Sequence, residues 1–514
     1  MNEPLAKPVE THKTASRGQA VIRHPSSVLR AATCFLKSGL TASSQHFLPV
    51  EPNPDRGCGP TRTGPPLQTF PTDPADWPLA RPAGLEHLIA YGQSLAAGFE
   101  GWPALSTAQR FDSLMLGDCV GSNHPHAPFW HPLGRGLNPL IATVQRLEGP
   151  LMSAAEVAAL APGTIALGET VLEAATTFWR ARLVEDPGFR RGAWRLLAST
   201  CAVGGRSLEA LSKDAEPELF NRLRDCAAAA RDAASAAGLE YGIAALLMLQ
   251  GEQNSFGLDG STGDRDTYKT LLARFHDDFA AEIGRDIAGQ AAAPPMFLYQ
   301  TGGDFVTDSQ AIPQAQLDLA LERPNVFMAA PVYPVTSKHG HLDANGYRWL
   351  GSQFGKVLHR VLTLGLDWKP LHPIRTTLVG RVLFVDFHVP VPPLAWGRPY
   401  RGHAAIEVAE RGFSLVDAAG PLPIAGVELD GPAAIRIRLA RDARSGLRLC
   451  YADLPHHGRG SLHDSDATRA EDIYEYHPGT GQDPSANIAE LVGRPYPLMN
   501  WCAAFDIAVT PPLA

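Results

Sequence analysis

An α/β fold, a parallel sheet with helices on both faces followed by a β-rich region, is what three features of the sequence predict. Apolar runs of strand length recur around Leu88-Ile89-Ala90, over 196–203 and over 243–249, as strands buried on both sides of a parallel sheet read. Each run ends at a glycine turn and is followed by a segment with helical spacing, so strand, loop and helix alternate. Beyond residue 370 the helical spacing stops and short alternating runs take over, the pattern of a β-sandwich.

Taken in order, the first strand turns at Gly92-Gln93-Ser94 into small residues and Gly98. A helix is predicted over 153–161, and another from near Glu169 on the spacing of Leu172, Ala175 and Phe178. The strand over 196–203 delivers Gly204-Gly205, and the Ala-rich helix over 216–238 closes on glycine. The strand over 243–249 delivers Gln250-Gly251-Glu252. A helix over 268–287, a strand over 296–299, a helix over 314–321 and a strand over 326–335 follow. Asp343 then suits the N-cap of a last helix running through Trp349, Phe354 and Val357 to Leu364. The later runs, 377–387, 404–408, 435–439 and 447–451, read as strands.

Three regions result. Residues 1–83, rich in Pro, Ser, Thr and Gly and without periodicity, read as a disordered or draped leader. Residues 84–368 form the α/β domain, with an insertion at about 100–195, and 372–514 an accessory β-rich domain. Trp396, Tyr400 and Trp501 of the latter read first as core and second as platforms for sugar rings.

With 45% hydrophobic and 19% charged residues in 514, the chain has the composition of a globular protein of two or three domains. A net charge of −8 leaves no basic footprint for nucleic acid, and no apolar run approaches the ~20 residues of a membrane helix. Neither a nucleic-acid partner nor membrane insertion is expected. Seven scattered cysteines without a CxxC read as reduced thiols. No signal peptide is recognisable, so a cytoplasmic home is the default and export stays open. His124, His126 and His131 crowd one proline-broken loop, but without the tighter spacing of a zinc site the loop reads as substrate-facing or structural. No metal or other cofactor is expected.

Ser94 stands where open α/β sheets bind ligands, just past the carboxyl end of a strand and before free helix N–H groups. Gly92-Gln93-Ser94 resembles the nucleophile block of the SGNH (GDSL-like) hydrolases, in the sub-group of sialate O-acetylesterase-like and acetylxylan-esterase-like proteins. Val203-Gly204-Gly205-Arg206-Ser207-Leu208 resembles their glycine block, Leu249-Gln250-Gly251-Glu252-Gln253-Asn254 their QGE block, and His341-Leu342-Asp343-Ala344-Asn345-Gly346-Tyr347 their histidine block. The four occur in family order over about half of the chain.

The resemblance implies a three-layer, flavodoxin-like hydrolase domain and a serine esterase that removes acyl groups, acetyl foremost, from a carbohydrate or other small ester. It implies Ser94 as nucleophile and His341 as base, with the N–H groups of Ser94 and Gly205 and the Gln250 side chain holding the oxyanion. One position departs from the family: Lys338 stands three residues before His341, where an aspartate is usual. A carboxylate from elsewhere must reach His341, or a backbone carbonyl orients it in a dyad, or activity is lost. Glu252 is the leading substitute, Asp308 the second, Asp343 is expected in the helix cap, and His339 is a rival base. Two further readings stand beside this one: a non-catalytic glycan-binding or phage-tail-like protein on the same fold, and an esterase of lipid or polyester chains.

Overall fold

β1 (Gly84–Gly92) is buried at every position, which is why its sequence shows no polar alternation. The computed structural model describes residues 84–185 and 194–510; the leader expected over 1–83 lies outside the described residues. From β1 the chain enters a single helical turn, α1 (Ser94–Ala97). The stretch expected as an insertion supplies two short strands, β2 (Leu114–Leu116) and β3 (Leu137–Pro139), and the helix α2 (Val171–Glu185). Then follow β4 (Trp194–Thr200), α3 (Asn221–Ala236), β5 (Glu240–Leu249), the one-turn α4 (Glu252–Ser255), α5 (Arg265–Phe279), β6 (Met296–Gln300), α6 (Ala311–Glu322), β7 (Val326–Pro331) and α7 (Ala344–Leu358).

These strands form one sheet in the order β3-β2-β4-β1-β5-β6-β7. Every neighbouring pair is parallel except β2–β3. Because β4 and β5 lie on opposite sides of β1, the winding reverses there, and the crevice at the carboxyl ends of these strands is where such sheets hold ligands. Successive β1 side chains serve opposite layers. Leu85, Ile89 and Tyr91 pack with Leu223, Phe275 and Ile312 of α3, α5 and α6, whereas Leu88 and Ala90 pack with Leu172 and Phe178 of α2 and Leu350 and Phe354 of α7.

The C-terminal region is a β-sandwich, as its alternating runs predict. β8 (His372–Val379), β9 (Val382–His388), β10 (Phe413–Asp417), β11 (Gly420–Pro421), β12 (Ile424–Leu429), β13 (Ala434–Leu439), β14 (Arg448–Tyr451) and β15 (Phe505–Ala508) make two antiparallel sheets, β8-β9-β13-β12 and β11-β10-β14-β15. Leu383, Val385, Ile435 and Ile437 of one sheet share a core with Phe413, Leu415, Leu449 and Phe505 of the other. The same apolar cluster runs on into the α3–α5–α6 layer, so both parts of the chain share one interior.

Local differences from expectation have physical reasons. The run over 377–387 is two strands, because a tight turn at Gly380-Arg381 reverses it. The strand over 326–335 stops at Pro331, whose successor Val332 still donates to Gln300. The helix over 268–287 is α-helical to Phe279 and continues in wider, π-type turns over Ala280–Ile287. Only Ala404–Ala405 of the 404–408 run pairs as strand. Trp501 and Tyr400 are buried, Trp501 against Tyr333 and His463 and Tyr400 against Trp349, while half-buried Trp396 carries the Arg411 guanidinium. Their packing is the core reading of these rings. Among the described residues no helix is long and apolar enough to cross a membrane, and Cys119, Cys201, Cys226, Cys450 and Cys502 are free thiols.

α7 lies so close to α2 that a Cβ on Gly351 would stand 2.4 Å from the Val171 carbonyl oxygen, and one on Gly355 2.7 Å from that of Ala175. Alanine gains about 1 kcal/mol of helix propensity over glycine, but a clash with backbone cannot be relieved by a rotamer. Gly351→Ala is therefore expected to lose ~1–3 kcal/mol net, seen as a lower melting temperature; a higher one would contradict this packing.

Candidate active site

Gly92 ends β1 where a Cβ would sit 1.9 Å from the Leu249 carbonyl oxygen, at φ +137°, so only glycine lets the ends of β1 and β5 approach this closely. Gln93 donates its N–H to that carbonyl at 2.9 Å, and its side-chain oxygen accepts from the Gln253 N–H at 3.2 Å. Backbone and side chain of Gln93 thus tie the turn that carries Ser94 to the turn that carries Glu252. Ser94, 4% exposed, opens α1.

Ser94 Oγ lies 2.9 Å from His341 Nε2, and His341 Nδ1 lies 2.9 Å from Glu100 Oε2. The other Glu100 oxygen holds His339 Nδ1 at 3.0 Å. All of Ser94, His341 and Glu100 are buried. Phe99 and Phe305 flank the His341 ring at centroid distances of 5.9 and 5.7 Å. A serine hydroxyl, an imidazole and a carboxylate joined in this order can generate a nucleophilic alkoxide, with the carboxylate orienting the ring and stabilising the imidazolium.

Glu100 is the residue the sequence reasoning missed. The expected substitute, Glu252, does not hold His341: its carboxyl is bonded to the Tyr299 hydroxyl and, at 2.8 Å, to the Thr301 hydroxyl. Burial pushes the Glu252 pKa up despite those bonds and the charge of His341. Asp308 is exposed on its loop, and from that segment it is Phe305 that meets His341. Asp343 caps α7 as expected, accepting the Gly346 N–H at 2.7 Å, and also binds Thr336 and His403. Lys338, three residues before His341, donates to the Trp102 carbonyl at 2.6 Å with its ammonium 3.5 Å from the Trp102 ring centroid. It therefore braces the loop that carries Glu100. Burial lowers its pKa to about 8 against the opposing pull of Glu100 and Asp343.

Close backbone packing places Glu100. Its N–H donates to the Ala166 carbonyl at 2.9 Å, the Gly168 N–H to Gly98 at 2.8 Å, and the Glu169 N–H to Gly101 at 2.7 Å. A Cβ at Gly98 or Gly101 would meet the 168–169 backbone at 2.4–2.9 Å. The Glu169 carboxylate then takes the N–H groups of Leu105 and Ser106, at 2.8 and 3.0 Å. Glu100 itself is left-handed at φ +59°, a strained conformation for a side-chain residue that packing must enforce. The available signal was a lone carboxylate among small and apolar residues, between Gly98 and Gly101.

The N–H groups of Ser94 and Gly205 donate to no other group among the described residues. Gly204 packs against Phe99, where a Cβ would fall 2.4 Å from the ring. Gln250 differs from expectation. Its amide donates to Asn254 Oδ1 at 2.6 Å, its oxygen accepts from the Tyr268 hydroxyl at 3.1 Å, and the remaining contacts to Arg206 O and Gln93 Oε1 are long, 3.4 and 3.5 Å. Its side chain is built into the wall of the site. In the histidine loop, His124 meets Phe129 edge-on, His131 meets the same ring at a tilt, and His126 turns in towards Phe99. Among the described residues no group of three His, Cys, Asp or Glu could hold a metal ion.

No family model matches the sequence, and no curated protein matches it. Similar solved structures include XAC1771, described as a novel carbohydrate acetylesterase from Xanthomonas citri, at 14% identity and a TM-score of 0.46 over 82% of this chain and 80% of that one. The Arabidopsis thaliana protein AT4G34215 is 17% identical, with a TM-score of 0.35 over 55% of this chain and 100% of its own. NanS is 15% identical, with a TM-score of 0.37 over 55% of this chain and 99% of its own.

Burial alone would raise the Glu100 pKa, but the hydrogen bonds and charges of His339 and His341 hold it down at about 2, from 4.5. A lowered carboxyl pKa contributes stability that is complete above about pH 4.5 and lost as pH falls towards 2. The His339 pKa is raised, chiefly by its bond to Glu100, so its contribution is complete below the ordinary 6.5 and lost as pH rises through the raised value. Urea unfolding is thus expected to give the widest gap between the natural protein and Glu100→Gln at about pH 4.5–6.5, on the order of 3 kcal/mol. A gap that stays constant from pH 3 to 8 would contradict it.

Proposed function

We propose that this chain is a serine ester hydrolase of the SGNH type that removes acyl groups, acetyl foremost, from a carbohydrate substrate. The observation that carries the proposal is the buried relay from Ser94 Oγ through His341 to Glu100. In the reaction Ser94 Oγ attacks the ester carbonyl carbon while His341 Nε2 takes its proton. The carbonyl oxygen becomes negative in front of the free N–H groups of Ser94 and Gly205. The tetrahedral intermediate collapses, the alcohol leaves with the proton from His341, and a water activated by the same nitrogen releases the acid and restores Ser94. Glu100 stays ionised throughout, in keeping with its low pKa, and fixes the Nδ1–H tautomer of His341. His339 holds the far side of that carboxylate.

The acetyl and carbohydrate parts of the reading rest on the resemblance of the Gly92-Gln93-Ser94 and Gln250-Gly251-Glu252 blocks to the sialate O-acetylesterase-like sub-group. The non-catalytic reading drew on the absent aspartate, and the Glu100 carboxylate on His341 takes away that ground.

Acid release from aryl acetates and O-acetylated sugars tests the proposal. Ser94→Ala is expected to abolish turnover, and Glu100→Gln to lower kcat by ~10²–10⁴-fold, well beyond any loss in Glu252→Gln. Turnover that survives in Ser94→Ala would overturn the reading, and a Glu252→Gln defect larger than that of Glu100→Gln would overturn the assignment of the acid.

A further inference from the structure

One short hairpin clamps the loop that carries Glu100. Ser337–Lys338 and His341–Leu342 pair antiparallel with Lys338 opposite His341, and His339-Gly340 turns between them at φ +50° and +100°, the positive values that a two-residue hairpin turn requires. The turn brings two imidazoles to one carboxylate. His341 Nδ1 meets Glu100 Oε2 at 2.9 Å, and His339 Nδ1 meets Oε1 at 3.0 Å. An ionised carboxylate only accepts hydrogen bonds, so each Nδ1 carries a proton. His339 thus aims its donor at the acid, whereas it is His341 Nε2 that lies against Ser94 Oγ; the rival base of the sequence reading has a different task. The relay has a fourth member beyond Ser94, His341 and Glu100.

The members differ in their access to water. The side chains of Glu100 and His341 are 3% and 6% exposed, that of His339 44%. His339 is therefore where solvent protons meet the relay. The charged groups facing it are Glu100 and His341 of the relay, Lys338 on its own hairpin, and Asp483 of the sandwich region. Of these it is Glu100 that holds its ring, and that bond raises the His339 pKa above the ordinary 6.5. In mildly acidic medium His339 is then an imidazolium on Glu100. A proton added to His341 would set a second imidazolium on the same carboxylate, and two like charges that share one counter-ion resist that step. The nitrogen that has to accept the Ser94 proton is thereby kept unprotonated further into acid.

We propose that His339 is a positioning residue whose positive charge, acting through the shared Glu100 carboxylate, keeps His341 a free base and the enzyme active in mildly acidic medium; this rests on the esterase reading above. His339 exchanges no proton with Ser94 or with the ester. It orients Glu100 from the far side and sets how acidic the medium can become before the base is lost.

The test is the pH profile of kcat/KM for an aryl acetate in the natural protein, His339→Asn and His339→Arg, each shown to be folded by circular dichroism. Asparagine tolerates the left-handed backbone and offers an amide N–H in the place of Nδ1–H, but carries no charge; arginine keeps the charge. In His339→Asn the acid limb, where loss of the base lowers the rate, is expected to move up by about half a pH unit or more. The ratio of kcat/KM at pH 5.5 to that at pH 8 then falls by about 3-fold or more, and His339→Arg restores it. An acid limb that stays in place in His339→Asn, or that moves equally in both variants, overturns the proposal, because a merely structural role would lower the rate at every pH. Histidine NMR of the natural protein and His339→Asn reads the same coupling without substrate, as the titration midpoint of His341. A midpoint that moves up in His339→Asn, with no turnover of any ester by the natural protein, keeps the coupling and removes the esterase reading. Ser94-dependent turnover with an unmoved acid limb removes the role of His339 alone.

Discussion

The site depends on a backbone contact that contains none of its chemistry. After one turn of helix the chain lies down on residues 166–169, with glycine at 98 and 101 because any side chain would strike carbonyl oxygens there. Glu100, between them, is forced into a left-handed conformation and its carboxylate is delivered under His341. The strain of one residue, of order 1–3 kcal/mol, is offset by the backbone hydrogen bonds on either side. Two more groups hold the loop: Glu169 through its Leu105 and Ser106 N–H groups, and Lys338 through the Trp102 carbonyl and ring. Lys338, three residues before His341 in the sequence, thus supports the loop that carries Glu100.

The sandwich domain completes this frame. His403 bonds the Asp343 cap of α7, the helix behind His341, at 3.0 Å, and Arg459 pairs with Asp304, which in turn accepts from Ser337. The Gly402 carbonyl takes the Ser337 N–H at 3.2 Å. With a continuous apolar core between the sandwich and the helical layer, the loop carrying Lys338, His339 and His341 is fixed from both sides. A relay of 2.9 Å contacts needs that rigidity, because its geometry tolerates little displacement.

Much of this was legible in the sequence. Buried parallel strands have to be apolar throughout, so β1, β4, β5 and β6 announce themselves, and the turns after them carry Ser94, Gly205 and Gln250. The Asp343 cap was legible because capping is local. Glu100 was not, because its partner lies 241 residues away and family spacing directs attention to the residues just before the histidine. Glu252 attracted the wrong role because a carboxylate at the end of β5 is close in sequence pattern to the site, while its bonds to Tyr299 and Thr301 are tertiary. The surroundings of Gln250 were hidden for the same reason: Asn254 and Tyr268, which engage its amide, come together only in the fold.

The central claim is that Ser94 is a nucleophile activated by His341, and covalent capture reads it without knowledge of the natural ester. The full chain would be treated with a fluorophosphonate and its peptides examined by mass spectrometry. The account predicts one adduct, on the peptide containing Ser94, formed far more slowly in His341→Ala. An unmodified Ser94 in folded protein, or labelling that proceeds equally without His341, would contradict it.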